Sequence, residues 1–509
     1  MAAMRVAFIA AECEPWAKTG GLGDVVDALA RAIGRIPGGP DQPIDVYLPR
    51  YRTVPVSEDR VVARRGLTLT DGGPAGEVVD VAIVDVEGDG YRLRLVDHPP
   101  AFDRAGYYGD AAGDYPDNAW RFGLLCRSAL ETIRAEGGGV DLLHLHDWHA
   151  APALLLRDRP LARVPEVGGL GALLTIHNLA YHGWVSRDRV GELGPVGELG
   201  PGIAPAGHGP GPGGNRVDLL REAIERAELV NTVSPGFATE ALGPSFGMGL
   251  DDALRARGDR FFGILNGIDQ VVWNPALDAS LAAPYERADR SGKAVCRAAL
   301  LRWVGFEWDD DGPVLAMIGR LDPQKGFDLL AGAATGLLER GARLIVLGSG
   351  DPRLAAPFRA LARDRPDRVA FLEAFDRDLA RQIYAGADVY VMPSRFEPCG
   401  QGQMIALRYG TPPIVRRTGG LADTVIDAGE RPDAGTGFVF DDAAPDALVA
   451  ACERAIALRR DDPDAWARLI DRGMAVDFGW QGGSAQRYMA AYERAIELRR
   501  SGRPDQKPR

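Results

Sequence analysis

Lys18-Thr19-Gly20-Gly21-Leu22-Gly23-Asp24 is a stretch of this 509-residue chain whose residue types suit a chemical task. Glycines let backbone N–H groups approach an anion, and the start of a following helix favours negative charge. Lys18 adds an ionic contact. The stretch is neither a P-loop nor a G-x-G-x-x-G turn followed by a ribose-binding acid, so ordinary ATPase and dehydrogenase readings weaken. The chain repeats it: Thr19–Val26 matches Thr418–Val425 at six of eight positions. Each copy follows a strand candidate and opens a helix. A single copy would read as a tight loop. Two copies predict one Rossmann-like domain per half, with ligands bound beyond the carboxyl ends of the strands.

Five of the seven histidines lie from His144 to His182. Strand geometry puts His144 and His146 on one face. No Cys or carboxylate closes a zinc site at a suitable spacing, so no metal is expected, and His144 reads as a core residue. Lysine is scarce, with only Lys18, Lys293, Lys325 and Lys507, and every other basic residue is arginine. A lysine kept against that background suits a place needing a compact ammonium. Lys18 and Lys325 fall within motifs, whereas Lys293 and Lys507 are read as incidental. Asp309-Asp310-Asp311 reads as the turn before Val314 rather than as a metal-diphosphate motif.

Short apolar runs alternate with amphipathic stretches, which predicts α/β architecture with parallel sheets. The strand candidates are Val6–Ala11, Ile44–Leu48, Leu142–His146, Ala172–Ile176 and Leu229–Val233, then Val314–Ile318, Arg343–Leu347, Val369–Leu372, Val389–Met392 and Pro413–Val415. Helical periodicity marks Asp24–Ile36, Ala119–Ala135, Pro445–Arg459 and Ser484–Arg499. Gly191–Asn215, rich in Gly and Pro, reads as an irregular loop. The expected division is an N-terminal domain over 1–258, a C-terminal domain over 259–476, a helix over 477–500 that crosses back to the first domain, and a disordered tail over 501–509.

The net charge of −12, with no basic stripe, argues against nucleic acid as a partner. No apolar run approaches a membrane span, and the first residues lack the features of a signal peptide. Five scattered cysteines without a C-x-x-C pair fit a reducing compartment and no structural zinc, so a cytoplasmic protein is expected.

Further segments carry a resemblance. They are His144-Leu145-His146-Asp147-Trp148-His149, Thr175-Ile176-His177-Asn178, Ile264-Leu265-Asn266-Gly267-Ile268-Asp269, and Trp273-Asn274-Pro275. Gly319-Arg320-Leu321-Asp322-Pro323-Gln324-Lys325-Gly326, Pro393-Ser394-Arg395-Phe396-Glu397-Pro398-Cys399-Gly400 and Arg416-Arg417-Thr418-Gly419-Gly420-Leu421 follow. With the Lys18 turn, and in this order from about residue 5 to Tyr488, the chain resembles bacterial glycogen and starch synthases.

The resemblance implies two Rossmann-like domains facing across a deep cleft, the plan called GT-B. It implies a metal-independent, cofactor-free transfer of glucose, with retained configuration, from ADP-glucose to an α-1,4-glucan such as glycogen or a maltooligosaccharide. Glu397 matches the key acidic residue, Arg320 and Lys325 the basic pair that neutralises the leaving diphosphate, and His146 a histidine contacting the transferred glucose. Lys18, Gly20, Gly21, Asp24, Cys399, Gly400, Thr418, Gly419 and Gly420 match the donor side. Asp117, Asn118, Trp148, His177 and Asn178 match acceptor or cleft positions. Two fixed cations at a departing diphosphate stabilise its growing charge without a metal.

Gln401-Gly402 stands where the family usually has Leu-Thr, and Ile405 where related transferases often carry a second acid. Glycogen synthases commonly lack an acid there too; Gln401 and Gly402 are expected to adjust loop shape rather than chemistry, so restoring Leu-Thr should change activity by no more than about tenfold. UDP-glucose is the alternative donor. An α-glucan phosphorylase would need a pyridoxal-phosphate lysine in the C-terminal half, where the Arg-x-x-x-x-Lys setting of Lys325 favours the synthase. A degenerate glucan-binding regulator is disfavoured by the intact Lys18, Arg320, Lys325 and Glu397.

Overall fold

The computed structural model describes residues 4–36, 44–70, 76–110, 113–196, 216–306 and 312–502. The aspartate run at 309–311, most of the Gly/Pro-rich stretch (197–215) and the tail from 503 lie outside the described residues. The chain divides into two compact units. Unit 1 is Met1–Val233, Ala238–Ile264 and Trp480–Arg509, and unit 2 is Ser234–Phe237 and Leu265–Gly479.

Unit 1 is built on nine strands: β1 (Val6–Ile9), β2 (Ile44–Pro49), β3 (Val61–Leu69), β4 (Val79–Glu87), β5 (Tyr91–Asp97), β6 (Leu142–His146), β7 (Gly171–Ile176), β8 (Leu229–Thr232) and β9 (Phe261–Gly263). They lie in the order β9-β8-β7-β6-β1-β2-β5-β4-β3. β4 runs antiparallel to β3 and β5, and the other pairings of the sheet are parallel. β1, β6 and β7 are buried along their whole length, as a parallel sheet covered on both faces requires. β3, at the sheet edge, alternates between half-buried and exposed residues. Helix α1 (Gly21–Gly34) buries Leu22, Val25, Val26, Leu29 and Ile33, the spacing of one helical face. Helix α2 (Asn118–Ala135) is buried over most of its length.

The C-terminal helix Ser484–Ser501 packs on β7 and buries Tyr488, Tyr492 and Ile496. A polar chain fixes its seat. The Thr175 hydroxyl donates to Asn231 Oδ1 (2.7 Å), so it accepts from His144 Nε2 (2.7 Å). His144 Nδ1 is then left to accept from the Tyr492 hydroxyl (2.8 Å), and Asn231 Nδ2 donates to the Tyr488 hydroxyl (3.2 Å). Arg499 adds bonds to Asp158 (2.9 Å), Glu228 (3.1 Å) and the Gly168 carbonyl (2.8 Å).

Unit 2 carries six parallel strands, β10 (Val314–Ile318), β11 (Arg343–Leu347), β12 (Val369–Leu372), β13 (Val389–Met392), β14 (Pro413–Arg416) and β15 (Phe438–Phe440). Their order, β12-β11-β10-β13-β14-β15, is the doubly wound Rossmann order. Its core includes Leu315, Phe327, Leu344, Phe358, Val389 and Leu448. Helix α3 (Phe327–Glu339) follows β10, α4 (Gly402–Arg408) follows β13, and α5 (Gly419–Thr424) follows β14. Pro445 opens the helix Pro445–Asp461, where its missing N–H costs nothing. Strand order reverses between β1 and β6 in unit 1, and between β10 and β13 in unit 2. In such sheets these are the places where ligands bind. Among the described residues, no helix is long and apolar enough to cross a membrane.

Candidate active site

In unit 1 the Lys18 turn leaves β1 and His146 ends β6, so both stand at the reversal. Lys18 is paired with Asp24 and approaches Glu14 (3.6 Å). Sequence reasoning missed Glu12. This buried carboxylate accepts the backbone N–H groups of Thr19 (2.7 Å) and Gly20 (3.2 Å) and the hydroxyls of Thr19 (2.6 Å) and Tyr108 (2.6 Å). Two N–H groups of the turn therefore already serve an internal anion. What stays open is its surface, since a Cβ added at Gly20 or Gly21 would meet nothing within 4 Å.

His146 is fully buried, and its Nδ1 lies 3.0 Å from His177 Nε2. Among the described residues its Nε2 has no hydrogen-bond partner. Burial, then the neighbouring His144 and His177, pushes its pKa well below the usual imidazole range, so the ring is neutral. Its neighbour Asp147 lies in the His144–His149 motif, whose spacing assigns it no role. Asp147 has φ 56° and ψ −172°. That region is essentially glycine-only and costs a non-glycine residue about 1–3 kcal/mol. The strain is held because its carboxylate accepts the N–H of His177 (2.7 Å) and that of Asn178, tying the exit of β6 to the exit of β7. Burial raises this carboxyl to about 7.

The remaining unit 1 positions singled out from sequence make contacts of their own. Trp148 sits edge-on to Phe122 at 5.3 Å, and Asn178 Oδ1 accepts the Ala180 N–H (3.0 Å). Asp117 is gripped by both arms of Arg104 (2.7 and 2.6 Å). Asn118 donates to the Tyr108 carbonyl (2.8 Å) and accepts from Arg121 (2.6 Å). These two residues fix the segment whose Tyr108 hydroxyl reaches Glu12.

In unit 2, Arg320 and Lys325 follow β10, and Glu397 follows the adjacent β13. The Asp322 carboxylate accepts the Gln324 N–H (2.9 Å) and shapes the tight turn Pro323–Lys325. Lys325 Nζ donates to Glu397 Oε2 (2.6 Å), which also accepts from the Ser394 hydroxyl (3.0 Å). Glu397 is only 5% exposed, so the ammonium neutralises a buried charge. The Arg320 side chain is 51% exposed and approaches Asp322 no nearer than 3.9 Å. The structure thus brings the acid and one cation into contact, and the second cation stands on the loop that carries Lys325.

The repeated Thr-Gly-Gly turn proves unequal in its two copies. Gly419, at φ 44°, lies where a side chain would strike the Glu397 carbonyl, and one at Gly420 would strike the Cys399 carbonyl. The Gly420 N–H donates to the Glu397 carbonyl (3.0 Å). Close packing against the Glu397–Cys399 backbone thus accounts for these glycines. Cys399 is buried, and burial pushes its thiol up to about 12. Gln403, also missed from sequence, is fully buried and donates to the carbonyls of Cys399 (3.1 Å) and Gly400 (3.1 Å) and to Thr424 Oγ1 (3.0 Å). Gly402 has a packing reason the sequence does not display: a Cβ there would stand 2.6 Å from the Tyr390 hydroxyl. Among the described residues, no cluster of His, Cys, Asp or Glu has the makings of a metal site.

Residues 5–256 match the starch synthase catalytic domain, and residues 305–471 match glycosyl transferases group 1. A glycogen synthase of Syntrophotalea carbinolica is 40% identical over 97% of this chain and 99% of its own length. One from Anaeromyxobacter sp. strain Fw109-5 is 42% identical over 96% and 99%. Among solved structures, the catalytic domain of starch synthase IV from Arabidopsis thaliana, bound to ADP and acarbose, superposes with a TM-score of 0.86. It is 34% identical and covers 97% of this chain and 100% of its own. Sucrose-phosphate synthase from Thermosynechococcus elongatus, at 20% identity and TM-score 0.60, shares the fold. Matched in both halves and along nearly all its length, the chain belongs to the glycogen and starch synthase family of retaining glucosyltransferases.

Proposed function

We propose that the chain transfers glucose from ADP-glucose to the non-reducing end of an α-1,4-glucan, without a metal, in the cytoplasm. The observation that carries this is the buried contact of Lys325 with Glu397 at the strand-order reversal of unit 2, with Arg320 half-exposed on the loop that carries Lys325. Lys325 and Arg320 stabilise the diphosphate as it departs, and no protein group need lose a proton to do so. Glu397 places negative charge where positive charge grows at the anomeric carbon. The acceptor hydroxyl attacks from the face the diphosphate leaves, and a phosphate oxygen takes its proton. In unit 1, neutral His146, whose Nε2 has no partner among the described residues, suits a sugar hydroxyl, and Lys18 suits an anion. Asp117, Asn118, Trp148, His177 and Asn178 shape the acceptor side, while Cys399, Gly400, Thr418, Gly419 and Gly420 form the wall behind the donor. The ADP held by the Arabidopsis relative supports the choice of donor, and its acarbose supports a glucan acceptor. The test is incorporation of labelled glucose into glycogen from ADP-glucose and from UDP-glucose, each with a chelator present. The expected result is incorporation from ADP-glucose above that from UDP-glucose, undiminished by the chelator. Chelator-sensitive activity restored by manganese, or faster transfer from UDP-glucose, would contradict the proposal.

A further inference from the structure

Lys325 and Glu397 sit on different loops, so their contact requires those loops to be held in register. The hydrogen bonds show what holds them. The Arg395 N–H donates to the Gln324 carbonyl (2.8 Å), and Gln324 Nε2 donates back to the Phe396 carbonyl (3.1 Å). The Arg395 guanidinium reaches the Pro323 carbonyl (2.9 Å) and grips both oxygens of Asp328 (2.8 and 2.7 Å). From the β14 side, Arg416 donates to the carbonyls of Ser394 (3.3 Å) and Arg395 (2.5 Å). Gly326, at φ 73°, packs against the Pro393 carbonyl, where any side chain would collide.

The Arg395–Asp328 pair is 38% and 45% exposed, so it contributes little to folding stability. Its geometry nevertheless joins the residues flanking Lys325 to the residues flanking Glu397. We propose that Arg395 is a positioning residue, which with Gln324 and Arg416 sets the distance between the Lys325 ammonium and the Glu397 carboxylate. It acts through the loop backbones and touches no reacting group. This rests on the reading that Lys325 and Glu397 face the reacting donor.

The test uses the full-length chain with the variants Arg395→Met, Arg395→Lys, Lys325→Met, Glu397→Ala and Arg395→Met combined with Lys325→Met. Initial rates over a range of ADP-glucose are measured beside calorimetric ADP affinity and Tm. For Arg395→Met, kcat falls about tenfold or more while the donor KM stays within about twofold. Its Tm stays within about 3 °C of the parent, as a half-exposed pair allows. Arg395→Lys recovers only part of the rate, because an ammonium cannot span Pro323 and Asp328 together. With Lys325 already replaced, the further loss from Arg395→Met is under about twofold, because the two act as one unit. An unchanged kcat, or the same loss on both backgrounds, overturns the proposal. Near-full turnover by both Lys325→Met and Glu397→Ala would instead sink the functional reading, and the inference with it.

Discussion

Gly402→Ala is the smallest change that separates loop shape from packing in unit 2. The added carbon would lie 2.6 Å from the Tyr390 hydroxyl, 3.0 Å from its Cε1 and 3.1 Å from its Cζ. Ordinary contacts of this kind are about 3.5–4 Å, so the ring must give way by roughly half an ångström or more. It has little freedom to do so. Tyr390 is 1% exposed, its hydroxyl donates to the Ile318 carbonyl (3.1 Å), and the Tyr384 hydroxyl donates to it (3.3 Å). Overpacking of this sort costs about 1–3 kcal/mol, and a weakened hydrogen bond adds about 1 kcal/mol. A loss of about 2–4 kcal/mol lowers Tm by about 4–16 °C for a unit of this size. Gly402→Thr should be worse. The expectation for activity on restoring Leu-Thr stays at no more than about tenfold, but a threonine at 402 meets the same Tyr390 contact and should cost stability. The assay is calorimetric unfolding of Gly402→Ala, Tyr390→Phe and the double variant. Removing the phenol oxygen relieves the nearest contact, so the double variant should recover at least about 1 kcal/mol relative to additivity. A Tm for Gly402→Ala within about 1 °C of the parent, or strict additivity, refutes the reasoning.

Asp147 should leave a signature in pH. Its folded carboxyl is raised from 3.8 to about 7, so its contribution to stability is full in acid and is lost as pH climbs from about 4 to about 7. Urea titrations should show the parent losing stability relative to Asp147→Asn across that window, with no further change above it; a constant difference contradicts this. His146, neutral by burial, should put no ionisation of its own on kcat/KM between about pH 6 and 8. The pH profile of His146→Gln should run parallel to the parent at a lower level, and a lost pH inflection would contradict it. Tyr492→Phe leaves His144 Nδ1 without its donor, and should cost about 1–3 kcal/mol and speed amide exchange in the C-terminal helix. Unchanged exchange would show the bond to be unimportant.

Buried parallel strands were the most legible part of the fold. Leu142–His146, Val314–Ile318 and Val389–Met392 are apolar runs because both faces of their sheets are covered, and their observed bounds equal those read from sequence. Val61–Leu69 was invisible because one of its faces meets solvent, and Arg64 and Arg65 interrupt its apolar pattern. In the candidate site, the meeting of Lys325 with Glu397 follows from motifs at the ends of neighbouring strands. Glu12, Asp147 and Gln403 went unassigned because their role is to hold backbone, and no spacing in a sequence announces which N–H or carbonyl a buried side chain will reach. The two Thr-Gly-Gly turns make the same point. Their residues match, yet glycine leaves open space at Gly20 and prevents a collision at Gly420.

Unit 1 begins with the first strand and is completed by a helix near residue 490, so its order of synthesis is not its order in space. On the ribosome, all six strands of unit 2 exist before Tyr488 and Tyr492 do. Until those tyrosines emerge, His144 and Asn231 have no helix to bond and the face of β7 lies bare, although every strand of the later-made unit is present. A polypeptide stopped short of residue 480 would retain every motif named above and still present an unfinished sheet, the kind of exposed apolar surface on which aggregation and proteolysis act. The last turns of helix thus act as a proof of completeness for the first half of the chain.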